Sequence, residues 1–181
     1  MSLTASDGRR TVINLKTFFD RVVLINLQRR LDRLGAIKEQ VRVKGWPFRE
    51  FEVFNAIDGK KVPVSLGWSK GGGVYGCRQS HVGVLQSALM DGVDRLLVLE
   101  DDFVVKETFT EECEKFFTNV PDDWDQLMLG GQHIKSAFEV GDGIVRCKNT
   151  QRTHAYAVRG NMMRDLYSVG TPQFARHTLT I

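Results

Sequence analysis

The sequence has no long hydrophobic run and few cysteines. No apolar stretch approaches the roughly 18 residues that a membrane-spanning helix needs, and the first 20 residues lack the apolar core of a signal peptide. The three cysteines, Cys77, Cys113 and Cys147, form neither an even disulfide framework nor a metal-ligand spacing. We therefore expect a cytoplasmic protein with buried, reduced thiols, which contacts the inner face of a membrane at most peripherally.

Several common motifs of nucleotide-binding proteins and hydrolases are missing as well. Glycines are frequent between 60 and 76, but no Gly-Lys-Ser/Thr follows them, and no glycine motif opens a helix directly after a strand. These absences exclude a P-loop and a dinucleotide-binding fingerprint. Ser80 and His81 are neighbours without a nucleophile elbow, so the pair does not indicate a hydrolase. The glycine-rich stretch instead predicts a loop that approaches a ligand closely or acts as a mobile flap.

The composition is typical of one globular domain. A chain of 181 residues with 42% hydrophobic residues can bury a core, and a formal net charge of +3 is too small to indicate binding to nucleic acid. The charge is unevenly spread, because residues 1–50 hold eleven Lys and Arg against five Asp and Glu, while residues 91–125 hold three against twelve. This asymmetry suits a polyanion held through a cation, and equally two solvated faces. We predict a partly flexible N-terminal extension over 1–20 and a single domain over 21–181.

Predicted strands and helices alternate along the chain, which favours an α/β layered fold with a mostly parallel central sheet. Apolar runs predict strands at 22–27, 51–54, 96–99, 124–130 and 153–158, and a hairpin at 138–147. Helical spacing predicts helices at 27–41, 77–90, 108–121 and 161–169, the third opened by a capping box of Thr108 and Glu111. Residues 11–20 are expected to form a short strand or turn.

The third strand runs directly into three acids, Glu100, Asp101 and Asp102. In a parallel sheet, ligands bind beyond the carboxyl ends of the strands. Adjacent carboxylates repel one another, so they must face water, pair with cations or hold a metal ion. Mg²⁺ and Mn²⁺ prefer such oxygen ligands. Alternation along a strand predicts that Glu100 and Asp102 point to one side and Asp101 to the other; a solvated acidic loop is the alternative.

Polar residues also follow the first two predicted strands. Asn26 ends the first strand, and Arg29, Arg30 and Arg33 lie at the start of the next helix, where they could bind phosphate oxygens or simply form a solvated helix face. Asp58 follows the second strand, where it could accept hydrogen bonds from a ribose or belong to an ordinary Asp-Gly turn.

Six local patterns, taken in order, resemble glycosyltransferase family 25. They are VVLINLQRRLDR at 22–33, NAIDG at 55–59, GVYGCRQSH at 73–81, LLVLEDD at 96–102, WDQLMLG at 124–130 and THAYAV at 153–158. That family includes bacterial lipooligosaccharide galactosyltransferases and procollagen galactosyltransferases. The resemblance implies a GT-A-like fold, in which a mostly parallel sheet with flanking helices binds a nucleotide sugar.

The resemblance implies a metal-dependent transfer of a hexose, galactose or glucose, from a UDP-linked donor to a saccharide or glycolipid acceptor, as in lipopolysaccharide biosynthesis. Mn²⁺ or Mg²⁺ would bind the donor pyrophosphate, with Asp102, Glu100 and the tail residue His177 as ligands. Family members usually continue into a further acidic segment, so a short or truncated module that binds a nucleotide sugar without transferring it is the alternative. A Mg²⁺-dependent phosphotransfer enzyme is a third reading.

The motifs that resemble the family give a set of expected site residues. On the donor side, these are Asn26, Arg29, Asp32, Arg33, Asp58, Gly76, Ser80 and Glu100. The expected catalytic residues are Asp101, Asp125 and His81. Glu100 or Asp101 would hold a ribose or sugar hydroxyl, and Asp125 and His81 are candidates for the general base by residue type alone. His133 and His154 are possible ligands, although a lone histidine is more often a packed or surface residue.

Overall fold

The computed structural model describes residues 13–147, 150–169 and 178–180. The helices in this part of the chain are α1 (Leu15–Phe18), α2 (Leu31–Lys44), α3 (Gly72–Met90), α4 (Phe109–Asn119) and α5 (Gly160–Val169). The strands are β1 (Arg21–Asn26), β2 (Glu52–Asn55), β3 (Arg95–Glu100), β4 (Gln126–Met128), β5 (Gln132–His133), β6 (Phe138–Gly141), β7 (Ile144–Arg146), β8 (Thr150–Gln151), β9 (Ala155–Arg159) and β10 (Thr178–Thr180).

Eight of the strands in the described residues form one sheet, in the order β2-β1-β3-β9-β4-β10-β7-β6, and β5 pairs with β8 separately. β1 lies parallel to both β2 and β3, whereas β9 runs antiparallel to β3 and β4. The predicted α/β class with flanking helices is therefore confirmed, and the sheet is mixed. The chain between β4 and β9 holds short strands and, within the described residues, no crossover helix, so β9 can return antiparallel.

β3 lies at the centre of the fold and is buried on both faces. Leu97 and Leu99 pack on one face, in a cluster with residues of α1, α2 and α4. Leu96 and Val98 pack on the other, with residues of α3 and α5. All four side chains are at most 1% exposed. The continuous apolar run that predicts β3 thus reflects a strand covered on both sides, and the acids begin where this cover ends.

α3 starts earlier than predicted. Residues 72–76 were expected in a loop, yet the helix begins at Gly72. The glycines lie against another part of the backbone, because a Cβ added to Gly76 would be 2.5 Å from the Gly59 nitrogen and closer still to the Ile57 carbonyl oxygen. The glycines therefore allow α3 to pack against the backbone of the loop after β2 and not, as predicted, against a ligand. Packing that only glycine permits offsets the low helix propensity of these residues.

Two further local predictions are wrong. The segment predicted as a short strand or turn contains α1, whose first turn is capped when the Asn14 side chain accepts a hydrogen bond from the Lys16 amide. Thr108 precedes α4 without capping it, because its hydroxyl donates to the Glu112 carboxylate at 2.7 Å. The Asn14 and Thr108 side chains each have several possible hydrogen-bond partners nearby in the sequence, and the sequence pattern does not determine which one is used.

Cys113 and Cys147 are buried as expected, whereas Cys77 is exposed on α3. Among the described residues, no helix is both long enough and apolar enough to cross a lipid bilayer.

Candidate functional site

The acids lie at the carboxyl end of β3, beside the carboxyl ends of β1 and β2. Parallel pairing brings these ends together, since Ile25 is opposite Glu100 and Asn26 is opposite Asn55. Side chains that follow three separate strands therefore meet at one edge of the sheet. This edge is the one that the sequence predicts.

Glu100 and Asp102 share their side with His154. One ligand atom from each of the three lies within 4.8 Å of the others, and His154 Nδ1 is 2.7 Å from Asp102 Oδ1. The antiparallel β9 explains the meeting, because the Glu100 amide donates to the His154 carbonyl oxygen at 2.8 Å. Thr153, one residue earlier, donates its hydroxyl to Glu100. His154 thus joins two residues that lie more than fifty positions away.

Asp101 contacts the first turn of α2 and the end of β1. Its Oδ1 lies 2.7 Å from Arg33 Nη1, and its Oδ2 accepts a hydrogen bond of 2.8 Å from the Asn26 amide. The Asp101 side chain is only 12% exposed. Both of its carboxylate oxygens therefore serve to connect β1 and the first turn of α2 to the end of β3.

The other arginines at the start of α2 also lie against carboxylates. Arg29 Nε is 3.1 Å from Asp58 Oδ2, and Arg30 pairs with Asp32 at 2.7 Å. A hydrogen bond from the Lys60 backbone amide and a weaker one from the Arg29 side chain hold the pKa of Asp58 below its usual value. Hydrogen bonds from Arg30 lower the pKa of Asp32 to about 2. The Arg30–Asp32 pair is an exposed one at the helix start, and Asp32 lines neither of the two clefts described below.

His81 is buried behind Glu100. Its ring is 3% exposed, and Nδ1 lies 3.0 Å from the Tyr156 hydroxyl. Nε2 is 3.4 Å from Glu100 Oε1 but makes no hydrogen bond of good geometry. Burial opposes the charge of Glu100, yet His81 and Thr153 outweigh it and hold the Glu100 pKa below its usual value. Burial also raises the pKa of Tyr156, so its hydroxyl stays protonated.

Ser80 and Gly76 hold the loop that follows β2. The buried Ser80 hydroxyl accepts from the Ile57 amide at 2.8 Å and donates to the Gly76 carbonyl oxygen at 2.7 Å. Both residues therefore shape the site by fixing the backbone around Asp58. Cys77 is the exposed neighbour on this helix, and desolvation together with the charges of Glu100 and Asp102 raises its thiol pKa to about 11.

Two clefts meet at the acids. The smaller, which we call the donor-side cleft, has a volume of about 230 Å³. Its polar and ionisable lining comprises Arg29, Arg33, Asp58, Lys60, Cys77, Ser80, His81, Glu100 and Asp101. The larger, which we call the aromatic cavity, has a volume of about 890 Å³, with Asp102 and His154 in its wall. Its apolar lining includes Trp46, Phe103, Phe109, Phe116 and Leu129.

Asp125 does not belong to this site. It immediately precedes β4, and its carbonyl oxygen accepts a hydrogen bond of 3.3 Å from the Arg159 amide. The strand register places it at the amino end of β4, the edge of the sheet opposite Glu100. At this position Asp125 cannot reach the site, so the prediction that it acts as the general base is wrong. His177 lies outside the described residues.

The donor set formed by Glu100, Asp102 and His154 suits Mn²⁺ or Mg²⁺. Two carboxylates and an imidazole are ligands that a divalent cation of this class accepts. His154 Nδ1 and Asp102 Oδ1 contact each other at 2.7 Å, so a cation held by both atoms would replace this contact. The residues present therefore fit the cation that the family resemblance implies.

The family model described as "Glycosyltransferase family 25 (LPS biosynthesis protein)" matches residues 19–157. The human "Inactive glycosyltransferase 25 family member 3" is 29% identical over 166 residues, which cover 80% of this chain and 28% of that protein. The mouse protein of that name is 25% identical over 146 residues, 69% of this chain and 24% of its own.

A protein of Acanthamoeba polyphaga mimivirus, named as a putative glycosyltransferase, is 30% identical over 122 residues, 61% of this chain and 37% of its own length. The chain thus spans about a quarter to two fifths of the curated relatives that it matches. The family match runs from before β1 into β9 and includes the acids, Asn26, Asp58 and His154. The chain belongs to glycosyltransferase family 25.

Proposed function

We propose that this chain adopts a GT-A-like arrangement and transfers a hexose, galactose or glucose, from a UDP-linked sugar to a saccharide or glycolipid acceptor, with Mn²⁺ or Mg²⁺ as cofactor. The observation that carries the proposal is the position of Glu100 and Asp102, which stand between a small polar cleft and a large aromatic cavity. A transferase must hold two substrates on either side of one reacting carbon atom, and this arrangement provides two adjoining spaces.

The donor nucleotide is assigned to the donor-side cleft. Arg29 contacts Asp58 through Nε, and Arg33 contacts Asp101 through one Nη. A guanidinium has five N–H groups, so the remaining ones are free of hydrogen bonds to other described residues and can bind diphosphate oxygens. Asp58 Oδ1 accepts from the Lys60 amide and Oδ2 from Arg29, so Asp58 would bind a ribose through its remaining lone pairs. Asp101 and His81 act in this proposal by positioning Arg33 and Glu100.

Glu100, Asp102 and His154 would hold the cation at the boundary between the two clefts. When bound, it would supply positive charge that stabilises the negative charge developing on the departing diphosphate. The burial of Glu100 on the His81 side, with Thr153 fixing its carboxylate, keeps one ligand in place before substrate arrives. Preorganisation of this kind reduces the cost of ordering the site during the reaction.

The acceptor is assigned to the aromatic cavity. One wall is formed by Trp46, Phe103 and Phe109. The centroid of the Trp46 ring is 6.2 Å from that of Phe103 and 5.8 Å from that of Phe109. Aromatic faces bind the apolar faces of sugar rings as well as lipid chains, so the cavity suits a saccharide or a glycolipid. Asp102 and His154 lie in its wall at the boundary with the donor side.

A second candidate function is binding of a nucleotide sugar without transfer. The human and mouse relatives carry the word "inactive" in their names, and both oxygens of Asp101 are already engaged by Asn26 and Arg33. Such a module would keep the donor-side cleft and the cation site but would not release UDP.

One experiment separates the two candidates. UDP release from UDP-galactose and UDP-glucose is measured with and without Mn²⁺, for the natural chain, Asp102→Ala and the distant control Asp125→Asn. Release that requires Mn²⁺ and is lost only in Asp102→Ala supports transfer. A rise in melting temperature with UDP and Mn²⁺, without release, supports the binding module. Neither stabilisation nor release would contradict both.

A further inference from the structure

A second cluster of metal-ligating atoms lies on the donor side of Glu100. Cys77 Sγ, a ring nitrogen of His81 and a carboxylate oxygen of Glu100 all lie within 4.8 Å of one another. Cys77 and His81 are four residues apart on α3, so they share a face of that helix. Glu100 reaches them from the end of β3. The cluster shares only Glu100 with the group formed by Asp102 and His154.

His81 provides an independent reason to expect a ligand here. Its side chain is 3% exposed and lines the donor-side cleft, and Nε2 has no hydrogen-bond partner among the described residues, the Glu100 Oε1 atom lying 3.4 Å away. A buried polar nitrogen without a hydrogen bond destabilises the folded chain, so an atom that binds Nε2 would remove this penalty. The Tyr156 hydroxyl, 3.0 Å from Nδ1, fixes the ring with Nε2 toward Glu100.

We propose that Cys77, His81 and Glu100 form a site for a thiophilic divalent cation, with Zn²⁺ as the best match. Thiolate, imidazole and carboxylate are the ligands that zinc accepts, and three protein ligands leave a further position open to the cleft. Bonds of about 2.0–2.2 Å place tetrahedral nitrogen and oxygen donors roughly 3.4 Å apart, which is the present separation of His81 Nε2 and Glu100 Oε1.

Cation binding would select the His81 tautomer whose Nδ1–H donates to the Tyr156 oxygen, because this tautomer leaves a lone pair on Nε2. The hard cations Mg²⁺ and Mn²⁺ favour oxygen ligands, so they are expected at Asp102 and not at the thiol. Since Glu100 belongs to both clusters, Zn²⁺ at Cys77 would compete with Mn²⁺ at Asp102. The zinc site itself does not depend on the proposed transferase activity.

Protection of the thiol provides the first test. The metal-free chain is treated with N-ethylmaleimide, alone, with Zn²⁺ or with Mg²⁺, and modification of each cysteine is followed by peptide mass spectrometry. Cys77 is exposed, whereas Cys113 and Cys147 are buried and act as internal references. We expect Zn²⁺ to slow modification of Cys77 at least about tenfold and Mg²⁺ to leave it unchanged. Equal rates with and without Zn²⁺ would overturn the site.

A pair of matched variants provides the second test. Zinc affinity is measured by competition with a chromophoric chelator, and Mn²⁺ affinity by electron paramagnetic resonance. Cys77→Ala is expected to lose at least about tenfold in zinc affinity and to keep its Mn²⁺ affinity. Asp102→Asn is expected to do the reverse. If Cys77→Ala binds zinc like the natural chain, or if Asp102→Asn loses zinc equally, the proposed site is wrong, whatever the outcome for UDP release.

Discussion

Arg33 Nη1 lies 2.7 Å from Asp101 Oδ1, and this ion pair joins the first turn of α2 to the end of β3. The other Asp101 oxygen accepts from Asn26, at the end of β1. The middle acid is thus occupied by structural contacts. Glu100 and Asp102 have ligand atoms within 4.8 Å of one of His154, and they remain the carboxylates suited to a cation.

Asp101→Ala is expected to destabilise the fold. The substitution leaves the Asn26 amide, which belongs to a residue only 2% exposed, without one of its acceptors. An unsatisfied buried donor costs about 1–3 kcal/mol, and urea unfolding will measure the loss. Asp32→Ala is the control, because it breaks an exposed ion pair at the same helix start and is expected to change stability little. Equal stability of Asp101→Ala and the natural chain would contradict the structural role of Asp101.

Gly76→Ala is expected to lower the stability of the fold and Gly73→Ala to raise it, although both residues lie in α3. A Cβ at Gly76 would lie 2.5 Å from the Gly59 nitrogen, whereas a Cβ at Gly73 meets nothing within 4 Å. Overpacking at Gly76 should cost at least about 1–3 kcal/mol, while Gly73→Ala should gain about 0.5–1 kcal/mol from helix propensity. Thermal or urea unfolding measures both. Similar effects of the two changes would show that the loop around Asp58 does not pack on α3 in this way.

Asp58 should contribute to stability in a pH-dependent manner. Hydrogen bonds from the Lys60 amide and Arg29 lower its pKa below 3.8 in the folded chain. A carboxyl with a lowered folded pKa stabilises the protein above its unfolded pKa, and this contribution disappears as the pH falls through the folded value. Asp58→Asn should therefore show a smaller loss of stability than the natural chain below pH 3.8. The natural chain and the variant will be compared by urea unfolding across this range.

The pKa of Asp58 can also be measured directly, by following its carboxyl through a pH titration. In Arg29→Ala, the Asp58 midpoint measured by NMR should rise toward 3.8, because one of the groups that lower it is gone. A midpoint above 3.8 in the natural chain would contradict the described contacts of Asp58.

Phe103→Ala is expected to weaken acceptor binding selectively. Phe103 lines the aromatic cavity beside Trp46 and does not line the donor-side cleft. Losing about 1.4 kcal/mol of apolar contact would raise the acceptor KM about tenfold, while stabilisation by UDP with Mn²⁺ should not change. Leu66→Ala is a suitable control, since Leu66 is exposed and lines neither cleft. A matching loss of UDP binding in Phe103→Ala would contradict the assignment of the two clefts.

Much of this fold can be read from local patterns. The run from Leu96 to Leu99 predicts β3 and places the acids at its end. These predictions succeed because each depends on neighbours in the sequence.

The wrong predictions that concern the site involve contacts between distant residues. The start of α3 depends on Gly76 lying against Gly59. Asp125 lies away from the site because of the register of β4 with β9. His154 reaches the acids because β9 returns antiparallel to β3, which no local pattern indicates. The short motif around His154 was the available signal, but a lone histidine gives no reason to choose it over His133.

The central claim is that Glu100, Asp102 and His154 hold a divalent cation between the two clefts. Titration of the chain with Mn²⁺ in the presence of UDP, followed by electron paramagnetic resonance, tests it most directly. We predict binding at one site that weakens at least about tenfold in Asp102→Asn and in His154→Ala, and that Asp125→Asn, at the opposite edge of the sheet, leaves unchanged. Equal Mn²⁺ affinity in the natural chain and Asp102→Asn would contradict the account.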